Sequence, residues 1–243
     1  MEHDLTRHSE APVDGKLARS IHSRRVVNEL REAIVSGRLE AGTPLVETTL
    51  AQELGVSRGP IRNAFQELHA QGLVETTRSG RTLVSGFGEK ELLDLLLVRF
   101  ELEQIAARRG IEHGASPEGV CLAYAELETA RGVSNERLAE LDIAFHRALV
   151  EYGGSRSLLQ AWLALAPVIL TVLVVANRRA ELDQYELHEY LEGIHTPIVD
   201  ALVREDADTV RDELRLHFIP RDYYRRAALR VSQPLGKRGA PLS

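Results

Sequence analysis

Cys121 is the only cysteine, so no internal disulfide can staple the fold. That pattern suits a reducing, cytoplasmic setting and leaves buried apolar surface as the source of stability. The N-terminal MEHDLTRHSE has no basic segment followed by an apolar run, which argues against a secretory signal. There is no internal repeat and no heptad run long enough for a coiled coil. Long hydrophobic runs are absent with one exception, residues 158–176, LLQAWLALAPVILTVLVVA, where only Gln160 and Thr171 are polar. Its length borders on a membrane span. The alternative is a core helix apolar on every face and surrounded by others. Pro167 at its middle and the lack of a second such segment favour the core helix, with no membrane partner.

What is present describes a folded protein of more than one domain. The chain has 243 residues, 44% of them apolar, and a formal charge of −6. The length exceeds the usual single domain, and the apolar share suffices for a real core. Charge is unevenly spread. Residues 16–86 hold ten Lys/Arg against seven Asp/Glu, whereas residues 87–243 hold nineteen against twenty-five. A polyanionic partner would therefore meet the N-terminal part.

The pattern along the chain is mainly helical. Residues 1–15 are polar and expected to be disordered. In SRRVVNELREAIVSG, Val26, Val27, Leu30, Ala33 and Ile34 fall on one helical stripe, and Gly37 suits the position after the cap. LEAGTPL reads as a turn or short extended link. A second helix over about 47–54 buries Leu50, Ala51 and Leu54 and ends at Gly55. Ser57 is an N-cap candidate for a third helix, with Pro60 tolerated in the first turn. After Gly72 the period changes. Residues 73–77 and 81–85 read as two short strands around Arg78-Ser79-Gly80. Three helices and a hairpin over 16–86 make a winged helix-turn-helix. From 88 every segment reads as helix, at about 88–113, 117–130, 135–152, 155–179, 183–204 and 206–228, an antiparallel all-α bundle over 88–228. Residues 229–243 include SQPLGKRGAPLS and are expected to be a disordered tail.

In a helix starting at Arg58, Ile61, Phe65 and Leu68 form the buried stripe. Arg58, Arg62, Asn63 and Gln66 take the other side. The arginine fork matches guanine edges and phosphates, and Asn or Gln matches adenine. The helix dipole attracts a phosphate near Ser57 and Arg58. Arg78 and Arg81 flank the hairpin tip, where Gly80 lets backbone approach a duplex. Two arginines alone would more often mark a solvated charged face; helix-turn-helix spacing before them and a hairpin after them favour DNA. LVETTLAQELGVSRGPIRNAFQELHAQGLVETTRSGRTLVS resembles the winged-helix domain of the GntR family over about residues 21–85. The resemblance implies that Arg58 and Arg62 contact DNA, with Gly80 at the wing tip. Asn63 stands where the family usually has Glu, Phe65 where it has Leu, and Thr48 where some members use a base-contacting Arg.

The second half carries its own constellation. Asp142 and His146 in ELDIAFHRALV are four apart, on one helix face, and His195 and His217 follow far downstream. One carboxylate and three imidazoles could ligate zinc, manganese or nickel. Spacing alone does not choose between His195 and His188, and a lone helical histidine is more often surface or hydrogen-bonded core. The region 88–225 is similar to the FadR-type C-terminal ligand-binding domain, FCD. The marks are Arg99 with Glu103, Asp142 with Phe145 and His146, His195 with Ile198 and Ala201, and His217. The resemblance implies a metal held by Asp142, His146, His195 and His217, its shell completed by an organic acid, and Arg99 as partner of the acid's carboxylate. Arg99 could instead form a helical ion pair with Glu103. Two departures stand out: Ser155 replaces the usual Asn, and Pro197 is expected to disturb the helix bearing His195.

These readings converge on a cytoplasmic, ligand-responsive transcription regulator, a repressor by the commoner arrangement. It is expected to be a homodimer on palindromic double-stranded DNA, sensing a small organic or sugar acid. Two rivals remain: a metal-dependent hydrolase using the Asp/His cluster, and a winged helix serving as a protein-interaction module. No separate general base or nucleophile stands out for the hydrolase.

Overall fold

The computed structural model describes residues 15–180 and 183–218. The expected disorder of 1–14 and 229–243, and the helical reading of 219–228, lie outside the described residues.

Helix α1 (Gly15–Val35) starts earlier than the apolar stripe suggested and buries that stripe fully. Gly37 ends it at φ 73°, its N–H bonded to the Ile34 carbonyl at 3.0 Å. LEAGTPL then contains a two-residue strand, β1 (Pro44–Leu45), where only an extended link was expected. Helices α2 (Glu47–Glu53) and α3 (Arg58–Ala70) follow, joined by a turn in which Gly55 has φ 62°. Strands β2 (Val74–Thr76) and β3 (Thr82–Val84) close an antiparallel hairpin in the register Val74↔Val84 and Thr76↔Thr82. The strand order is β1-β3-β2, so β1 covers the free edge of β3.

Buried Arg31 ties α1 to α3. Its guanidinium donates to Glu67 at 2.8 Å, Gln71 at 2.9 Å and Asn28 at 2.8 Å. Burial lowers its pKa against the pull of Glu67. The arginine thus fixes the C-terminal turn of α3, complementing Ile61, Ala64 and Leu68 on its buried face.

The helical part comprises α4 (Glu89–Glu112), α5 (Glu118–Thr129), α6 (Asn135–Tyr152), α7 (Arg156–Ala180), α8 (Gln184–Val203) and α9 (Ala207–Phe218). Local signals set the starts. Ser134 accepts the Arg137 N–H to open α6. Asp183 accepts from Tyr185 and Glu186 while Glu186 reaches back, a full capping box on α8. Gly110 of α4 lies against the Tyr152 ring, so a Cβ there would sit 2.1 Å from Cε1. This close crossing lets α4 and α6 bring Glu103 with His146, and Arg99 with Asp142, together about two and three turns away.

Two expectations need correction. Pro197 does not disturb α8, which runs through it. The carbonyl losing its donor belongs to Gly193, and Gly193 and Pro197 both line an open groove, so the loss falls on the solvent side. Nor is α7 surrounded. Trp162, Val168, Ile169, Val172 and Leu173 are buried, yet only 33% of its most apolar window is. Leu159, Leu163, Leu170 and Val174 are half-covered and adjoin the face of α4 that exposes Val98 and Ile105. By length and composition α7 could cross a membrane, but it packs on α1, α4 and α6.

One hydrophobic core cluster runs from Val26 in α1 to Phe218 in α9, so the N-terminal and helical parts share packed residues. At the rim, Arg178 reaches Glu32 of α1 at 2.9 Å and Glu136 of α6 at 3.3 Å, and Arg179 donates to the Ser36 carbonyl at 2.7 Å.

Candidate functional site

The exposed side of α3 carries every polar residue picked out there. Ser57, Arg58, Arg62, Asn63 and Gln66 are all exposed while Ile61, Ala64, Phe65 and Leu68 face inward. Ser57 has the extended backbone of an N-cap (φ −76°, ψ 168°), but its side chain makes no cap hydrogen bond. The expected capping bond is therefore absent: the backbone position is right, and the hydroxyl serves no amide of α3. Asn63 donates weakly to Ser23 at 3.5 Å. Arg62 is not isolated, because its Nε reaches both carboxylate oxygens of Glu47, at 2.9 and 3.2 Å.

At the wing, Thr77 N–H donates to the Arg81 carbonyl at 2.8 Å, and Gly80 N–H to the Thr77 carbonyl at 2.9 Å. Gly80 takes φ 78°, a left-handed position where a Cβ is strained. Arg78, Gly80 and Arg81 are exposed around this tip. Arg58, Arg78 and Arg81 form no salt bridge among the described residues. The surface thus offers cations, amide side chains and a helix N-terminus with little internal competition.

The second constellation is buried. Asp142 and His146 of α6, His195 of α8 and His217 of α9 each offer one ligand atom, and these atoms all lie within 4.8 Å of one another. All four residues are at most 5% exposed. Hydrogen bonds fix which nitrogens face the centre. His195 Nδ1 lies 2.6 Å from the Leu191 carbonyl, which can only accept, so Nδ1 carries the proton and Nε2 is bare. His146 Nδ1 lies 2.5 Å from a Glu103 oxygen; when the ring donates to the carboxylate form of Glu103, its Nε2 is bare as well. These two nitrogens sit 3.1 Å apart, with Asp142 Oδ1 at 3.2 Å from the first and 3.7 Å from the second. Converging lone pairs repel unless a cation lies among them.

The donor set fits a divalent metal on its own chemistry. Three imidazoles and one carboxylate suit zinc, nickel or manganese, and the Glu103 carboxyl group and the Leu191 carbonyl orient the His146 and His195 rings. Ligand atoms each ~2.1 Å from one ion lie at most about 4.2 Å apart, so the set needs only a small contraction. A shared proton would satisfy two nitrogens; an ion would satisfy all four residues.

Charge at the centre is strongly perturbed. Burial by itself would raise Asp142, but positive charge around it, from His146 and His195 in their protonated forms and from Arg99, holds it well below the usual carboxylate range. Burial, reinforced by the Arg99 charge, depresses His146, and burial with the neighbouring histidines depresses His217. Burial pushes Glu103 up to about 7, against the pull of Arg99 and Trp162.

Arg99 satisfies the ion-pair reading and still borders the centre. Its Nε donates to Glu103 at 2.9 Å, while Nη2 is 3.6 Å from Asp142 Oδ2 and the guanidinium stacks 4.6 Å from the Phe218 ring. Glu103 is the residue whose importance the sequence understated: it accepts from Arg99, His146 and Trp162, joining α4, α6 and α7. Only its spacing of four from Arg99 was readable. His188 is elsewhere. Its Nε2 bonds the Leu127 and Glu128 carbonyls at 3.0 Å each, so the choice between His188 and His195 resolves to His195.

An N-terminal winged helix joined to an α-helical bundle around a buried polar centre defines a one-component regulator architecture. Residues 22–84 match the family described as bacterial regulatory proteins, gntR family, and residues 94–219 match the FCD domain. A protein of Paenarthrobacter nicotinovorans named "Probable D-xylose utilization operon transcriptional repressor" is 33% identical over 204 residues, covering 83% of this chain and 88% of that protein. The "Gluconate operon transcriptional repressor" of Bacillus licheniformis is 28% identical over 206 residues, covering 83% and 84%. Among solved structures, the Listeria monocytogenes protein Lar superimposes with TM-score 0.63 at 18% identity, covering 86% of this chain and 95% of that one. Escherichia coli McbR/YncC gives 0.56 at 20% identity, covering 84% and 98%. The chain belongs to the GntR family, with an FCD ligand-binding domain. It is a DNA-binding transcription regulator responsive to a small molecule, and not an enzyme, so the hydrolase alternative is unsupported.

Proposed function

We propose that this regulator is a cytoplasmic repressor of an operon for sugar or organic-acid use, released by a small carboxylate that binds at a metal held by Asp142, His146, His195 and His217. The observation that carries the reading is the convergence of the His146 and His195 Nε2 nitrogens and an Asp142 oxygen in a buried cluster edged by Arg99. A bound ion would supply a Lewis-acid site for an acid's carboxylate. Arg99, anchored through Nε by Glu103, would meet the same group with its outer nitrogens. The names of the two relatives, both sugar or gluconate operon repressors, support the substrate class.

On the DNA side, Ser57, Arg58, Arg62, Asn63 and Gln66 would enter a major groove, with Arg78, Gly80 and Arg81 of the wing on the adjoining backbone. Residues 16–86 would form the reading head and 88–228 the sensing and dimerising part. A homodimer is supported by the apolar face of α4 and α7, where Val98 is 46% and Ile105 43% exposed, each one turn from Leu95 or Leu102, which pack with the half-covered residues of α7. Two heads related by a two-fold axis would read a palindrome.

The rim contacts give the effector a route to the heads. Arg178 bonds both Glu136, on the helix that carries Asp142 and His146, and Glu32 of α1. An acid that fits one placement of α6 and α7 better than another would shift the heads by that difference in affinity. The test is a thermal-shift screen of organic and sugar acids on the full chain, with zinc, nickel or manganese and with chelator. The reading requires acids that raise stability only when metal is present; stabilisation indifferent to chelator would refute the metal's part.

A further inference from the structure

We propose that Glu47 positions Arg62 for base reading and so sets how sharply the protein separates its operator from other DNA. This rests on the reading of Arg62 as a duplex contact.

Glu47 is the first residue of α2, where the helix N-terminus favours a carboxylate, and it is only one-third exposed. Arg62 lies 15 residues on, on the outer side of α3, and is 61% exposed. The helices bearing the two residues pack through Leu50, Ala51, Ile61, Ala64 and Phe65, so the ends of the ion pair ride on a fixed frame. Glu47 takes the Nε of Arg62 with both oxygens, which leaves the Nη edge of the fork to point away from α2.

An exposed ion pair contributes little to folding. A carboxylate beside a DNA-facing arginine also weakens attraction for every phosphate within a Debye length. On both counts the pair works against general DNA affinity. What it supplies is orientation. A phosphate accepts a cation from many directions, whereas a guanine edge needs two N–H groups at fixed spacing. Holding Nε in the free protein removes rotamer freedom before the duplex arrives. Glu47 therefore exchanges affinity for all DNA against discrimination at one base pair of each half-site. Arg58, which forms no salt bridge among the described residues, has no such partner carboxylate.

The experiment selects an operator from a random duplex library with the full wild-type chain. It then measures affinity for that operator, for each single-base variant and for a scrambled duplex. Glu47→Gln is expected to bind the scrambled duplex roughly two- to fivefold tighter, since one repelling charge is gone. It is also expected to lose about three- to tenfold of the discrimination at one pair per half-site, part of the ~5- to 150-fold that a bidentate contact supplies. Glu47→Asp, which keeps the charge but is too short to hold Nε, should lose the same discrimination without gaining scrambled-duplex affinity. In an Arg62→Lys background, Glu47→Gln should cost no further discrimination. Unchanged melting temperatures confirm that the fold is intact. A uniform change at all sequences, or unchanged preference at every base pair, overturns the proposal. If Arg62→Lys alone leaves every base preference intact, the reading of Arg62 fails first, and the role of Glu47 with it.

Discussion

Replacing Asp142 by Asn removes the one anionic donor of the buried cluster while keeping its size. Asp142 is 1% exposed, 3.2 Å from His195 Nε2 and 3.6 Å from Arg99 Nη2, so the change also disturbs the metal-free fold. The informative quantity is therefore the difference in melting temperature with and without metal, not the absolute value. At free metal 100 times its Kd, the wild type gains about 2.7 kcal/mol. A chain of this size shifts by roughly 2–4 °C per kcal/mol, so the wild type should rise by about 5–11 °C over its chelated form. Loss of a partner that merely orients a ligand weakens metal by ~10- to 100-fold, so loss of the ligand itself should reach at least the upper end. At the same metal concentration the variant then gains only about 0.4 kcal/mol, or roughly 1–2 °C. Trp162 gives a second readout: it is the only tryptophan, buried, and 3.1 Å from the Glu103 that also holds His146. Its emission should change on chelation in the wild type and not in Asp142→Asn. A wild-type melting temperature indifferent to zinc, nickel, manganese and chelator would refute the reasoning, as would equal shifts in both proteins.

Gly110→Ala puts a Cβ against the Tyr152 ring and should destabilise by about 1–3 kcal/mol by calorimetry, although helix propensity alone predicts a gain of roughly 1 kcal/mol. A more stable variant would contradict the α4–α6 crossing. Val98→Asp with Ile105→Asp places charge on the exposed face of α4 and should convert a dimer to monomers in sedimentation velocity; an unchanged sedimentation coefficient would place the interface elsewhere. Arg178→Ala with Arg179→Ala removes the rim bonds to Glu32, Glu136 and Ser36. Operator binding should survive, while the acid-induced change in affinity falls at least about threefold from a typical ~5- to 150-fold coupling.

The readable parts of the fold were those written in local spacing. The stripe Ile61, Phe65, Leu68, the glycine at 37 and the glycine at 55 each specify an element or its end from neighbouring residues. Strand β1 was not visible, because two residues carry no period and Pro44–Leu45 is a strand only through β3. The open side of α7 was hidden for a related reason: continuous apolar sequence does not tell which face finds a partner. In the buried site, Asp142 and His146 were paired by their spacing, and resemblance favoured His195 over His188. Position alone could not separate them, since the difference lies in the α5 carbonyls that engage His188. Long-range polar links left no local trace at all. Arg31 with Glu67, Glu103 with His146 and Trp162, and Glu47 with Arg62 are 36, 43, 59 and 15 residues apart.

The coupling between the buried cluster and the winged helix is tested most directly by operator affinity as a function of acid. The metal-supplied wild type and Asp142→Asn would each be titrated on the selected operator with an acid from the stability screen. The account predicts equal binding without acid, a weakening of roughly 5- to 150-fold in the wild type, and little change in the variant. An equal response of both proteins, or a response of neither, would contradict it.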